Sequence, residues 1–128
     1  MNKLDKESIL GIAALLVHAA NIDGIYSSHE KELICNFIRS YLDDDANLIL
    51  KKAEEIENNS NQLLNYTNII KGNSLEIKKD IIEHLWKVII SDNKVDQYEA
   101  NLMRRICGLI YFSDKECGEI KLKLTKNK

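Results

Sequence analysis

Asp23-Gly24-Ile25-Tyr26-Ser27-Ser28-His29-Glu30 and Asp92-Asn93-Lys94-Val95-Asp96-Gln97-Tyr98-Glu99 stand 69 positions apart, and each runs from an aspartate to a glutamate seven residues on. The same offset lays Leu16 on Leu85, Leu33 on Leu102, Ile34 on Met103 and Ile38 on Cys107. Each copy therefore reads as helix, short acidic turn, capped helix, over about residues 4–42 and 74–112. A helical hairpin of this kind carries an apolar face that it cannot bury alone, so the two copies are expected to pack with pseudo-two-fold symmetry.

Working outward from the turns, Leu4, Ile9, Ile12, Ala13, Leu16, Val17 and Ala20 recur at helical spacing until Asn21-Ile22-Asp23-Gly24 interrupts them. The second helix is predicted over Ser28 to Leu42, opened by Ser27 and Glu30 at capping-box spacing. Asp43, Asp44 and Asp45 suit the exposed N–H groups of a third helix, predicted to run through Ile56. The polar, asparagine-rich Glu57 to Asn61 reads as a loop before a short helix over Leu63 to Ile70. After Lys71-Gly72-Asn73, Ser74 begins a longer helix with Ile77, Ile81, Ile82, Leu85, Val88 and Ile89. The turn Ser91 to Val95 precedes a helix from Gln97 to about Tyr111, opened by Asp96 and Glu99. Ser113 and Glu116 form a third capping-box pair ahead of a last helix that frays after Leu124. The expectation is an all-α fold of about seven helices, one domain over residues 1–128.

Composition narrows the function. With 128 residues, no proline, five glycines and 45% hydrophobic residues, the chain suits a helical core that needs no disulfide or metal staple. A formal charge of −2, with Lys and Arg scattered, offers no basic footprint for a phosphate backbone, so nucleic acid is not an expected partner. Three cysteines, Cys35, Cys107 and Cys117, are an odd number without CxxC spacing, two of them stand inside apolar helical patterns as small hydrophobes, and a reducing cytoplasm fits them. The apolar stretch Ile9 to Ala20 is too short for a bilayer span, and reads as a core helix of a protein not integral to the membrane.

Asp23, Glu30, Asp92 and Glu99 are the candidate site. Aspartates in the turns and glutamates one helical turn on could together supply four hard oxygen ligands to Ca²⁺ or Mg²⁺. The same residues also have a structural reading. Glu30 and Glu99 are capping-box glutamates, and Asp23-Gly24 and Asp92-Asn93 are ordinary turn dipeptides. The first copy matches the second half of an EF-hand loop, but Ala19 and Asn21, like Val88 and Ile90 in the second copy, stand where its first and third ligands belong.

The stretches Ala19 to Glu30 and Leu85 to Glu99 resemble the two acidic motifs of TerB-like tellurite-resistance proteins. Leu102-Met103-Arg104-Arg105-Ile106 through Leu109-Ile110-Tyr111-Phe112-Ser113-Asp114 is similar to that family's last helical junction, while Asp43 to Asn73 carries little of the likeness. The resemblance implies an all-helical, quasi-two-fold bacterial domain with an acidic surface, tied to tellurite and stress-response systems and to divalent-metal binding. It also implies protein partners, since related domains occur fused to other modules, membrane-anchored J-domain co-chaperones among them. Carried over residue by residue, it assigns metal contacts to Asp23, Glu30, Asp92, Asp96 and Glu99. Asn93 replaces the second motif's usual glycine, and Ser27 stands where an aspartate is often seen.

The remaining residues offer no chemistry of their own. His18 and His84 have no Cys, His or carboxylate at zinc spacing and read as structural or surface histidines, His29 as a surface one. Trp86 reads as a core or interface anchor. Neither a G-x-S-x-G elbow nor a phosphate-binding glycine loop occurs, so no enzyme activity is expected. Glu54, Glu55 and Glu57, with Asp43 to Asp45, could form an acidic face for a basic partner. Two readings compete: a non-enzymatic module that binds protein partners and a divalent ion, and a purely structural interaction module whose acidic residues only cap helices. A metal-dependent hydrolase is a third, without a residue to serve as its general base.

Overall fold

The computed structural model describes the backbone of residues 5–21, 26–43, 45–60, 63–90 and 97–126, and their side chains apart from 59–60, 63–65, 97–99 and 126. Seven helices occupy them: α1 (Lys6–Ala20), α2 (Ser28–Tyr41), α3 (Ala46–Ser60), α4 (Leu63–Lys71), α5 (Leu75–Ile90), α6 (Gln97–Leu109) and α7 (Asp114–Lys126). The all-α expectation is met, and no strand occurs among the described residues.

The helix starts keep a common offset. Adding 69 to the first residues of α1, α2 and α3 gives 75, 97 and 115, against 75, 97 and 114 for the starts of α5, α6 and α7. Two runs of three helices thus start at nearly the same spacing, with α4 between them. Packing follows suit, since α3 lies against α1 and α2, and α7 against α5 and α6.

Helix α1 is the hub. It packs on α2, α3, α4 and α5, and from Gly11 to Val17 every residue is buried. That burial explains its composition: Ile12, Ala13, Ala14, Leu15 and Leu16 point round the whole helix instead of along one stripe, so no polar face remains. Gly11 is where α4 comes closest, for a Cβ at this position would collide with Ile69 Cδ1. All seven helices feed one apolar cluster, with Phe37, Ile81, Ile82 and Leu85 fully enclosed. Each such side chain contributes about 1.5–3 kcal/mol relative to exposure. Among the described residues no helix is long and apolar enough to cross a membrane.

Two boundaries differ from expectation. Glu57, Asn58, Asn59 and Ser60 continue α3 instead of forming a loop, because Glu57 turns inward at 7% exposure and finds partners on other helices. It accepts from Tyr66 Oη at 2.8 Å and pairs with His18 Nδ1 at 2.7 Å. Glu57 is therefore a core carboxylate and not part of an acidic face. Asn61 of that segment, like Leu4, Asp44 and the turn Ser91 to Val95, lies outside the described residues.

The other difference is at α6, which ends at Leu109. Phe112 N–H donates to Cys107 O at 2.8 Å and Tyr111 N–H to Gly108 O at 3.4 Å, the bond pair of a Schellman stop. Its left-handed position is held by Tyr111 at φ 58°, where glycine is usual, and Phe112 buries itself behind the turn.

Candidate functional site

Ser27 has extended backbone (φ −87°, ψ 165°) and caps α2. Its Oγ accepts from Glu30 N–H at 3.2 Å, and its own N–H donates to Glu30 Oε1 at 2.8 Å. The capping box expected from the sequence is closed in both directions. Glu30 is also buried, at 7% exposure, which an exposed cap would not require. Its carboxylate is committed to the Ser27 N–H at the head of α2.

Around this cap lies a polar cleft of about 260 Å³ lined by Val17, Asn21, Tyr26, Lys31, Glu54 and Asn58. Tyr26 donates its hydroxyl to Glu54 Oε2 at 2.6 Å, and Lys31 Nζ sits 5.1 Å above its ring. Burial, then the bond to Glu54, raises the Tyr26 phenol above its ordinary value of 10.0. Glu54, expected on an acidic face, is thus spent on tying the turn to α3. Deeper in, the Cys35 thiol points to Asn47 Oδ1 at 3.6 Å, and burial pushes its pKa up.

Of the five carboxylates expected to form the site, Glu30 is the one whose side chain is described. Asp23, Asp92 and Asp96 lie outside the described residues, and Glu99 stands in the first turn of α6 with its side chain outside them. Among the described residues, no group of three or more His, Cys, Asp or Glu side chains is arranged to hold a metal ion.

Sequence reasoning missed two polar networks. One is Glu57 with His18 and Tyr66. The other joins α2 to α5, where Tyr41 Oη donates to Asp80 Oδ2 at 2.5 Å, Asp80 Oδ1 lies 3.5 Å from His84 Nε2, and the His84 ring meets Phe37 edge-on at 5.1 Å. Asp80 and His84 are four residues apart on α5, a spacing that could have flagged this second network. His29 is exposed, as expected, while His18 and His84 are structural. Trp86 is a core anchor at 4% exposure.

Compared with known proteins, the chain matches the family model of tellurite resistance protein TerB over residues 10–122. No curated protein and no solved structure matches it.

Proposed function

The chain belongs to the TerB tellurite-resistance family, and from that premise we propose that residues 1–128 form one non-catalytic, cytoplasmic module that binds protein partners and takes a divalent cation at its acidic turns. Asp23 and Glu30, with Asp92, Asp96 and Glu99, are the proposed ligands, and Ca²⁺ or Mg²⁺ the proposed ion, as hard cations suited to carboxylate oxygens. The observation that carries this reading is Glu30. Its carboxylate is buried to 7% exposure in the first turn of α2, seven residues on from Asp23 in sequence, and a carboxylate withdrawn from water calls for compensation by hydrogen bonds or a cation. The ion would couple the turn to the head of α2 and so tune the partner-binding surface. A location among reducing thiols suits Cys35, Cys107 and Cys117, all free and buried.

The closed Ser27–Glu30 box favours a second reading, in which the acidic residues cap helices and the module binds partners without an ion. The melting temperature of the full chain in EDTA, and then in millimolar Ca²⁺, Mg²⁺, Mn²⁺ or Zn²⁺, separates the two. The first reading expects a selective rise of several degrees with one ion, lost in Asp23→Asn/Asp92→Asn, since a ligand that binds only the folded state at 100 times its Kd adds about 2.7 kcal/mol. Equal melting under every ion would leave the caps as the whole role of these residues.

A further inference from the structure

Away from the acidic turns, the second half of the chain holds a pair of thiols that the family reading does not use. Cys107, in the last turn of α6, is fully buried, and Cys117, in the first turns of α7, is 5% exposed. Both belong to the same buried cluster, and each thiol perturbs the titration of the other. Trp86 of α5 donates its indole N–H to Cys117 Sγ at 3.3 Å. Cys117 also lines a cleft of about 330 Å³ with Trp86, Met103, Arg104, Asp114 and Lys121. Its neighbour Gly118 leaves that side open, since a Cβ there would meet nothing within 4 Å.

We propose that Cys107 and Cys117 form a peroxide-responsive dithiol, in which Cys117 is the attacking sulfur and Cys107 the resolving one. The roles follow from position. Cys117 faces the cleft, accepts a hydrogen bond, and has Lys121 and Arg104 nearby, with Asp114 as the one opposing charge; Lys121 Nζ lies 5.4 Å over the Trp86 ring. Cys107 has no surface of its own and touches the cleft only through its partner. The neighbouring Cys107 thiol, and then the Trp86 N–H, hold the Cys117 thiol below its ordinary value, although burial opposes them. The proximity of Cys117, and then burial, raise Cys107. A cysteine near the start of a helix gains further from the N-terminal dipole.

The chemistry balances with hydrogen peroxide as oxidant. The Cys117 thiolate attacks one peroxide oxygen, the O–O bond breaks, and the departing oxygen takes a proton and leaves as water, so that a sulfenic acid remains. Cys107 sulfur then attacks Cys117 sulfur; the S–S bond forms, the S–O bond breaks, and the hydroxyl leaves as water with the Cys107 proton. Two thiols lose two electrons, and one peroxide accepts both and becomes two waters. The product staples α6 to α7 across the corner that Tyr111 and Phe112 already hold.

The test is peptide mapping of the reduced full chain after brief exposure to hydrogen peroxide. The proposal expects a Cys107–Cys117 disulfide that a dithiol reductant reverses, with Cys35 oxidised at least about tenfold more slowly, because thiolate character sets the rate. In Cys107→Ser, dimedone should trap a sulfenic acid on Cys117. Trp86→Phe keeps a ring in place but removes the N–H. Loss of that N–H should lower the thiolate fraction and slow the native reaction at pH 7 by a few-fold, with no change in the rate of urea-unfolded protein. Cys117 reacting no faster than Cys35, or faster in urea than in the folded protein, would overturn the proposal. So would a disulfide that joins Cys117 to Cys35 or to a second chain.

Discussion

His18 and Glu57, 39 residues apart, meet at 2.7 Å between Nδ1 and Oε2, and Tyr66 donates to the other oxygen of the same carboxylate. One side chain on α3 thereby satisfies polar groups on α1 and α4 inside an otherwise apolar cluster. Its removal breaks both bonds at once, and a buried polar group that loses a partner costs more than the bond itself contributes. Glu57→Ala is expected to lose about 2–4 kcal/mol of stability, and Glu57→Gln, which can still accept from Tyr66, about half as much. Urea unfolding followed by circular dichroism measures both. A loss for Glu57→Ala within about 0.5 kcal/mol of zero would mean that Glu57 behaves as a surface residue.

This network marks where the sequence stopped being informative. The helices and the Ser27–Glu30 box were legible because each depends on spacing within a short stretch. Glu57 was misread because a glutamate followed by asparagines is locally indistinguishable from a loop, and the groups that bury it come from α1 and α4. The end of α6 was placed about two residues late because Tyr111, unlike the glycine expected at such a stop, gives no local sign of a left-handed turn. For the acidic site, the sequence supplied candidates and a spacing, and Glu30 is the member whose cap role is now a matter of geometry.

Tyr111 itself offers a second test. At φ 58° it sits where a side chain is strained, it is 71% exposed, and its ring holds Lys71 Nζ at 4.9 Å. Tyr111→Gly should stabilise the protein by about 0.5–1 kcal/mol, the relief at the Schellman position exceeding the exposed cation–π contact it removes. Thermal unfolding of the variant would show a higher midpoint, and a lower one would refute the strain.

Gly118 and Gly11 should respond oppositely to alanine. Both lie inside helices, where alanine is favoured by about 1 kcal/mol. At Gly118 the new methyl enters open space, so Gly118→Ala should gain most of that preference. At Gly11 it meets Ile69 Cδ1, so the side chain must leave its place between α1 and α4, and Gly11→Ala should be neutral or destabilised by about 1 kcal/mol. Chemical denaturation of the two variants in parallel decides it.

The pH dependence should have an acid limb assigned to Asp80 and an alkaline limb assigned to the half-buried phenols of Tyr26 and Tyr41. The hydrogen bond with His84, and after it that from Tyr41, hold the Asp80 carboxyl below its ordinary 3.8. The unfolded chain therefore takes up this proton first, and the stability Asp80 contributes is present above 3.8 and lost as pH falls through its lowered value. Tyr26 and Tyr41 are raised above 10.0, chiefly by burial, so their contribution is present below 10.0 and lost as pH rises beyond it. Asp80→Asn should flatten the acid limb of a stability–pH curve, and Tyr26→Phe/Tyr41→Phe the alkaline one. An unchanged slope in either variant would remove that assignment.

The all-round burial of α1 also bears on how the chain comes into being. A ribosome makes α1 before the helices that enclose it, and α5, which covers one of its faces, follows only after α2, α3 and α4 have been made. Until then a helix with no polar side is a sticky segment in search of a cover. The native state should accordingly be reached in a late, concerted step once α5 is free of the exit tunnel, and the nascent chain should be a client of chaperones that hold apolar segments apart.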